Sequence, residues 1–111
     1  MQEAEFAVTR TTPRFSFIAE AEVTWPRDRT RVVARISELS ARGCYVDTVN
    51  PFPLHTELKF LIRYGCSTCE LLGKVIYTHS GYGMGVLFGE IAPTHRVTLK
   101  GWLDELARKS A

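Results

Sequence analysis

The sequence predicts a mainly all-β fold, a six-stranded antiparallel β-barrel with a C-terminal α-helix. Three observations predict it. From Phe15 onward, apolar residues recur at every second position in short segments, the period of a strand with one buried face. Clusters of Gly, Pro, Asn, Asp and Ser punctuate those segments, as they do in barrels. After Pro93 the apolar spacing lengthens to about three and four, which is one stripe on a helix. The chain has 111 residues, enough for one hydrophobic core and not two. Its 45% hydrophobic and 23% charged residues place it among ordinary globular chains. Residues 1–9 read as a flexible leader, 10–108 as the domain, and 107–111 as a fraying end.

The first strand runs from Phe15 to Trp25, with Phe15, Phe17, Ala19, Ala21, Val23 and Trp25 on one face. Pro26-Arg27-Asp28-Arg29 breaks it as a turn. The second strand puts Val32, Ala34 and Ile36 on one face and Arg31, Val33 and Arg35 on the other. Leu39 to Gly43 reads as a tight connection, with Gly43 available for a backbone angle that other residues avoid. Cys44 to Thr48 is a short strand, and Asn50-Pro51-Phe52-Pro53 a loop. Leu58, Phe60, Ile62 and Tyr64 alternate on a fourth strand, and Gly65-Cys66-Ser67-Thr68 suits a hairpin tip. Residues 69–79 and 83–88 are two more strands, joined by Ser80-Gly81-Tyr82. Pro93 then fits a helix start, Val97, Trp102, Leu103 and Leu106 its apolar stripe, and Arg108 and Lys109 its last turn. One helix does not sustain itself, so it is expected to pack on the barrel. Strands in hairpin order close the sheet and remove its edges.

Formal net charge is only +2, too mild for non-specific binding to a nucleic-acid polymer. Its distribution says more. Residues 10–42 hold seven arginines, no lysine and four acids. Arginine's planar fork grips phosphate in a bidentate way and stacks on flat rings, so the skew hints at a phosphate-bearing partner; a solvated barrel surface is the plainer explanation of any one arginine. No stretch approaches the roughly 20 apolar residues of a membrane helix, and the opening residues are not a secretory signal. Three scattered cysteines imply no disulfide framework. A reducing, cytoplasmic compartment is the expectation.

Three constellations stand out. Arg10 and Arg14, four apart and stiffened by Pro13, precede the first strand and are placed to close on a phosphate from two sides. Glu38 and Ser40 lie two apart at the exit of the second strand, a spacing that points both to one face of an extended chain. A carboxylate there accepts from paired N–H donors such as a guanine's Watson–Crick edge; the structural alternative is Ser40 bonding its local backbone. Gly83-Met84-Gly85-Val86-Leu87-Phe88 alternates small and large residues, so something packs closely over the glycines.

In this order and spacing the three resemble the PilZ domain, a family of six-stranded barrels with a C-terminal helix that bind the bacterial second messenger cyclic di-GMP. The family pattern is RxxxR, then [D/N]xSxxG, then a strand of the type GxGVxF. Arg10 and Arg14 match the first part, Ser40 and Gly43 the second, and Gly83, Gly85, Val86 and Phe88 the third. The resemblance runs from about residue 9 to about residue 106. It implies a non-enzymatic receptor with no cofactor, which changes shape on binding cyclic di-GMP and signals to a protein partner of unknown identity. By the same resemblance Arg10 and Arg14 grip phosphates and stack on guanine, Glu38 and Ser40 hydrogen-bond the base or another polar edge, and Gly43 lets the backbone pass close to the ligand.

Two departures accompany it. Glu38 stands where the family has Asp or Asn, and His55 stands where Gly is expected. Glu38 is one methylene longer; losing or bending one charged hydrogen bond costs on the order of 1.5–3 kcal/mol, roughly tenfold or more in affinity. The alternative reading is therefore a degenerate PilZ-like protein-interaction module that does not bind cyclic di-GMP. Other readings have less behind them. Cys66 and Cys69 form a lone CxxC without the two further ligands a zinc site needs or the βαβ context of a redox pair. Glu20 and Glu22 imitate a catalytic carboxylate pair, but a solvent-facing alternation explains them. Trp25, Trp102 and the phenylalanines fit core packing better than single-strand stacking.

Overall fold

The computed structural model describes residues 12–110. Its elements are β1 (Phe15–Trp25), β2 (Thr30–Leu39), β3 (Gly43–Asp47), β4 (Glu57–Tyr64), β5 (Ser67–His79), β6 (Gly83–Phe88) and α1 (Pro93–Ser110). The six strands close into one antiparallel barrel, as the alternation predicts. The expected leader, residues 1–9, lies outside the described residues.

The order around the barrel is β1-β2-β3-β6-β5-β4, with β1 and β4 paired to close it. Hairpin order therefore fails at one place: β3 pairs with β6 and not with β4. Residues 48–56, which include Pro51 and Pro53, carry the chain across the barrel end. Two prolines lack the N–H that a continuing ladder requires. Phe52 from this crossing packs edge-on against Trp25, with ring centroids 5.8 Å apart, and covers that end of the core.

Inward positions on every strand supply the core. Ala21, Val23, Ile36, Leu39, Val46, Leu58, Phe60, Ile62, Val75 and Met84 are buried there. At the other end α1 packs against β5 and β1. It buries Leu99, Trp102 and Leu106, whereas Val97, expected on the apolar stripe, is 72% exposed. Val97 stands five residues before Trp102, which at 3.6 residues per turn is off its face. The start of α1 is fixed by the Glu70 amide, which donates to His95 Nδ1 at 3.1 Å, and by the Cys69 thiol against the His95 carbonyl at 3.4 Å. The helix continues to Ser110 instead of fraying after 106, with Lys109 paired to Glu105 in its last turns. No helix among the described residues is long and apolar enough to cross a membrane.

Two bulges set which side chains reach the outer surface. In β2 the register to β3 shifts between Ile36 and Glu38, and in β5 the register to β6 shifts between Val75 and Tyr77. An extra residue reverses the in-out alternation beyond it. Ile36 and Val75 point inward, and Glu38 and Tyr77, two residues on, point outward.

His55 adopts φ 73°, the left-handed region that a Cβ disfavours. Its amide donates to the Val75 carbonyl at 2.8 Å, a bond glycine also makes, and its side chain is exposed. His55→Gly is expected to stabilise the fold by about 0.5–1 kcal/mol, the relief of backbone strain less glycine's greater unfolded entropy. Thermal denaturation beside the native chain checks this; a lower midpoint for the variant contradicts it.

Candidate functional site

The second constellation is a closed turn. Ser40 is buried, and its amide donates to the Gly43 carbonyl at 2.9 Å. Its Oγ accepts from the amides of Arg42 at 3.2 Å and Gly43 at 3.1 Å. The hydroxyl thus holds residues 40–43 in one tight loop, by the local backbone bonding open to a serine at such a junction. Gly43 is not in a left-handed conformation, contrary to the angle expected for it. What requires glycine is close approach: a Cβ there falls on the Val86 carbonyl oxygen of β6. The turn is clamped to β6 a second time by the Phe88 amide, which donates to the Arg42 carbonyl at 2.7 Å.

Arg14 lies immediately before β1, beside this turn, because Phe15 pairs with Leu39 and Ser16 with Glu38. Its Nη1 is 3.9 Å from Glu38 Oε1, and both side chains are nearly half exposed. An ion pair this long and this wet contributes between nothing and about 1 kcal/mol. Arg14 and Glu38 are therefore close and available to a ligand. Arg10 lies outside the described residues. Of the other arginines in the basic segment, Arg31 bridges to Glu22 at 3.3 Å and Arg35 to Asp47 at 2.9 Å. Glu22 is also met by Arg63 at 3.3 Å, and the Arg31 hydrogen bond first and Arg63 second hold its carboxyl below the usual range. Part of the arginine skew is thus spent on strand-to-strand pairs across the barrel surface.

The third constellation has a visible partner. The Tyr77 ring of β5 lies over Gly85, and the Tyr45 ring of β3 lies over Gly83, each where a Cβ would sit. Tyr45 and Tyr77 have centroids 6.2 Å apart, and His79 joins them at 5.8 and 5.3 Å. Tyr45 Oη and His79 Nδ1 are hydrogen-bonded at 2.9 Å. Burial, then the neighbouring Tyr77, Asp47 and Glu38, push the Tyr45 hydroxyl up. The glycines signal close packing in the sequence; which rings supply it depends on the β5 bulge.

The CxxC pair is separated by the fold. Cys66 is exposed at the β4–β5 turn, and Cys69 faces the core with its thiol pushed up to about 11 by burial. Among the described residues no three His, Cys, Asp or Glu side chains gather as a metal site would require.

Comparisons with known proteins agree with this architecture. The sequence matches the PilZ domain family over residues 9–105. No curated protein matches the chain by sequence. Solved structures that share its fold include the following three. Bacillus subtilis MotI/DgrA, an inhibitor of motility, superposes with a TM-score of 0.72 at 17% identity, over 91% of this chain and 50% of that one. This chain thus spans half the length of MotI/DgrA. The PilZ domain of Escherichia coli YcgR, solved with cyclic di-GMP, gives 0.71 at 15% identity, over 89% and 92%. The PilZ domain of CeSA from a cellulose-synthesizing bacterium gives 0.69 at 16% identity, over 86% and 98%. With a six-stranded barrel, a C-terminal helix and a family match across nearly all of its length, the chain belongs to the PilZ domain family, whose members are generally non-catalytic receptors for cyclic di-GMP.

Proposed function

We propose that this domain is a cyclic di-GMP receptor and that its output is mechanical, passed to a protein partner by a change of shape. The observation that carries the reading is the convergence of Arg14, Glu38 and the Ser40–Gly43 turn at one place on the barrel surface. Arg14 offers a phosphate a bidentate fork. Glu38 offers paired N–H donors of a base an acceptor. Ser40 spends its hydroxyl on the turn and acts by holding the loop in shape. Arg10 supplies a second fork in this reading. A ligand that binds one shape of the domain better than another shifts it toward that shape, which is all an adaptor without catalytic chemistry requires.

Titration calorimetry of the native chain and of Glu38→Asp with cyclic di-GMP tests the reading. Micromolar or tighter binding is expected of the native chain. Glu38→Asp is expected to bind as well or up to roughly tenfold tighter, because the shorter side chain loses its reach toward Arg14 and freezes one fewer rotor. Absence of binding in both, with the fold intact, overturns the receptor reading and leaves a protein-interaction module.

A further inference from the structure

The wall of the barrel is incomplete along the first half of β2. β2 pairs with β1 from Thr30 to Leu39, but with β3 only from Arg35 to Leu39. β3 ends at Asp47, and the Thr48 amide donates to the Tyr82 carbonyl at 3.0 Å, on the side away from β2. Among the described residues no backbone hydrogen bond crosses from residues 30–34 to the chain that follows β3. An antiparallel strand directs its amides and carbonyls alternately to its two sides. This stretch, about 16 Å long, therefore keeps one row of backbone groups unpaired, as a free sheet edge does.

Exposure agrees. Val32 and Ala34 face inward, opposite Val23 and Ala21 of β1, which are fully buried. Yet Val32 is 41% exposed and Ala34 only partly buried, and the outward Val33 is 64% exposed. A cavity of about 400 Å³ opens between this edge and residues 48–53, and its walls reach Val46 and Met84 at the barrel mouth. Its volume is that of a natural binding pocket. A free edge beside an apolar pocket is the arrangement by which a sheet receives an added strand.

Charge selects the occupant. Residues 27–35 hold Arg27, Arg29, Arg31 and Arg35 against Asp28 alone. The Asp28 carboxylate is engaged by the Thr30 amide at 2.9 Å. Arg27 and Arg29 form no salt bridge among the described residues. Arg29 keeps φ 63°, where glycine is free of strain, so the turn carries this cation against backbone preference. Arg31 and Arg35 pair with Glu22 and Asp47 at the surface, and such exposed pairs exchange partners at little cost. A second copy of this edge sets arginine against arginine, which disfavours self-pairing. An acidic strand has no such conflict: its inward side chains enter the cavity beside Val32, and its outward ones meet Arg31 and Arg35.

We infer that the Thr30–Ala34 edge is the docking site of the protein partner, and that it takes an extended peptide segment in which apolar and acidic side chains alternate. The inference rests on the part of the receptor reading that assigns a protein partner, and it needs no bound nucleotide. The edge lies at the opposite end of β2 from Glu38 and Arg14.

The test uses the whole chain without nucleotide and two short synthetic peptides, one alternating valine with glutamate and one alternating valine with lysine. Amide-detected NMR is expected to show the glutamate peptide shifting the Thr30–Ala34 amides with a Kd of about 100 μM or tighter, and the lysine peptide binding roughly tenfold more weakly or less. Arg27→Glu combined with Arg29→Glu, both in an exposed turn, is expected to weaken the glutamate peptide by roughly tenfold or more at an unchanged thermal midpoint. Before peptide is added, hydrogen exchange of the native chain is expected to be faster at the edge-facing amides of residues 31–34 than at their neighbours bonded to β1. Uniform protection there means that this chain covers its own edge, and overturns the inference. Equal binding of the two peptides overturns it, as does a glutamate peptide that leaves these amides unmoved at millimolar concentration. A dimer in sedimentation, joined through the same amides, overturns it in favour of a second copy. A separate cyclic di-GMP titration keeps the two readings apart. A chain that binds the nucleotide and not the peptide loses the docking edge and keeps the receptor; one that binds the peptide and not the nucleotide keeps the edge and loses the receptor.

Discussion

Trp102→Ala is expected to destabilise the domain by about 3–5 kcal/mol, a large share of the roughly 5–15 kcal/mol that holds a domain of this kind together. Trp102 is 6% exposed and sits on α1 over the open end of the barrel. Its ring lies 5.5 Å from Phe17 of β1 and 5.6 Å from Tyr64 of β4, and those two rings are 4.4 Å from each other. Truncation removes the largest of the three side chains that α1 buries and uncovers two aromatic rings at once. The remaining buried side chains of the helix, Leu99 and Leu106, are too few to keep it docked without the indole, since a lone amphipathic helix draws its stability from its packed face. The midpoint of thermal unfolding is expected to drop by roughly 15 °C or more, and Trp102→Phe to recover most of it. A loss below about 1 kcal/mol in chemical denaturation contradicts the role given to α1 as the plug of the barrel.

The parts of the fold legible in the sequence are those in which alternation runs unbroken. In β4, Leu58, Phe60 and Ile62 are buried in strict alternation, and in β1 Phe17, Ala19, Ala21 and Val23 behave the same way. Strand order is not legible at β3 to β4, because local periodicity carries no information about which strands meet. The crossing of residues 48–56 is written only in Pro51, Pro53 and the apolar Phe52, which an ordinary loop accommodates equally well.

The site is legible in its types and not in its geometry. Glu38 and Ser40 stand two apart, which on an unbroken strand gives one face, but Ser40 has already left β2 and bonds back into the turn. Gly43 stands out in the sequence for its conformational freedom, whereas the structure needs it for the approach of β3 to Val86. Tyr45, Tyr77 and His79 carry no sequence signal as a group, because a single-residue bulge leaves no mark on composition while it reverses the face of every residue beyond it. His55 carries its signal openly: it departs from a glycine expected at that position, and its φ of 73° gives the departure a physical cost.

Arg14→Ala is expected to weaken cyclic di-GMP binding by roughly a hundredfold or more while leaving the fold unchanged. The guanidinium is exposed and its only ion pair among the described residues is the loose contact with Glu38 at 3.9 Å, so its removal costs stability at most about 1 kcal/mol. Toward a phosphate the same group makes two charge-assisted hydrogen bonds, each worth about 1.5–3 kcal/mol, and their sum sets the expected loss. Arg14→Lys separates charge from geometry: a point charge without the planar fork is expected to fall between the native chain and alanine. Glu38 adds a second consequence. In the free domain its carboxylate lies 3.9 Å from Arg14, and on the receptor reading it would turn to the base in the bound one. Glu38→Gln is therefore expected to lose the base contact's charge and gain an unopposed Arg14, whereas in the Arg14→Ala background only the loss remains. The four affinities, measured by calorimetry, form a cycle whose coupling is expected to be non-zero. Additive effects show that Arg14 and Glu38 act on the ligand independently, and an Arg14→Ala variant that binds like the native chain removes Arg14 from the site.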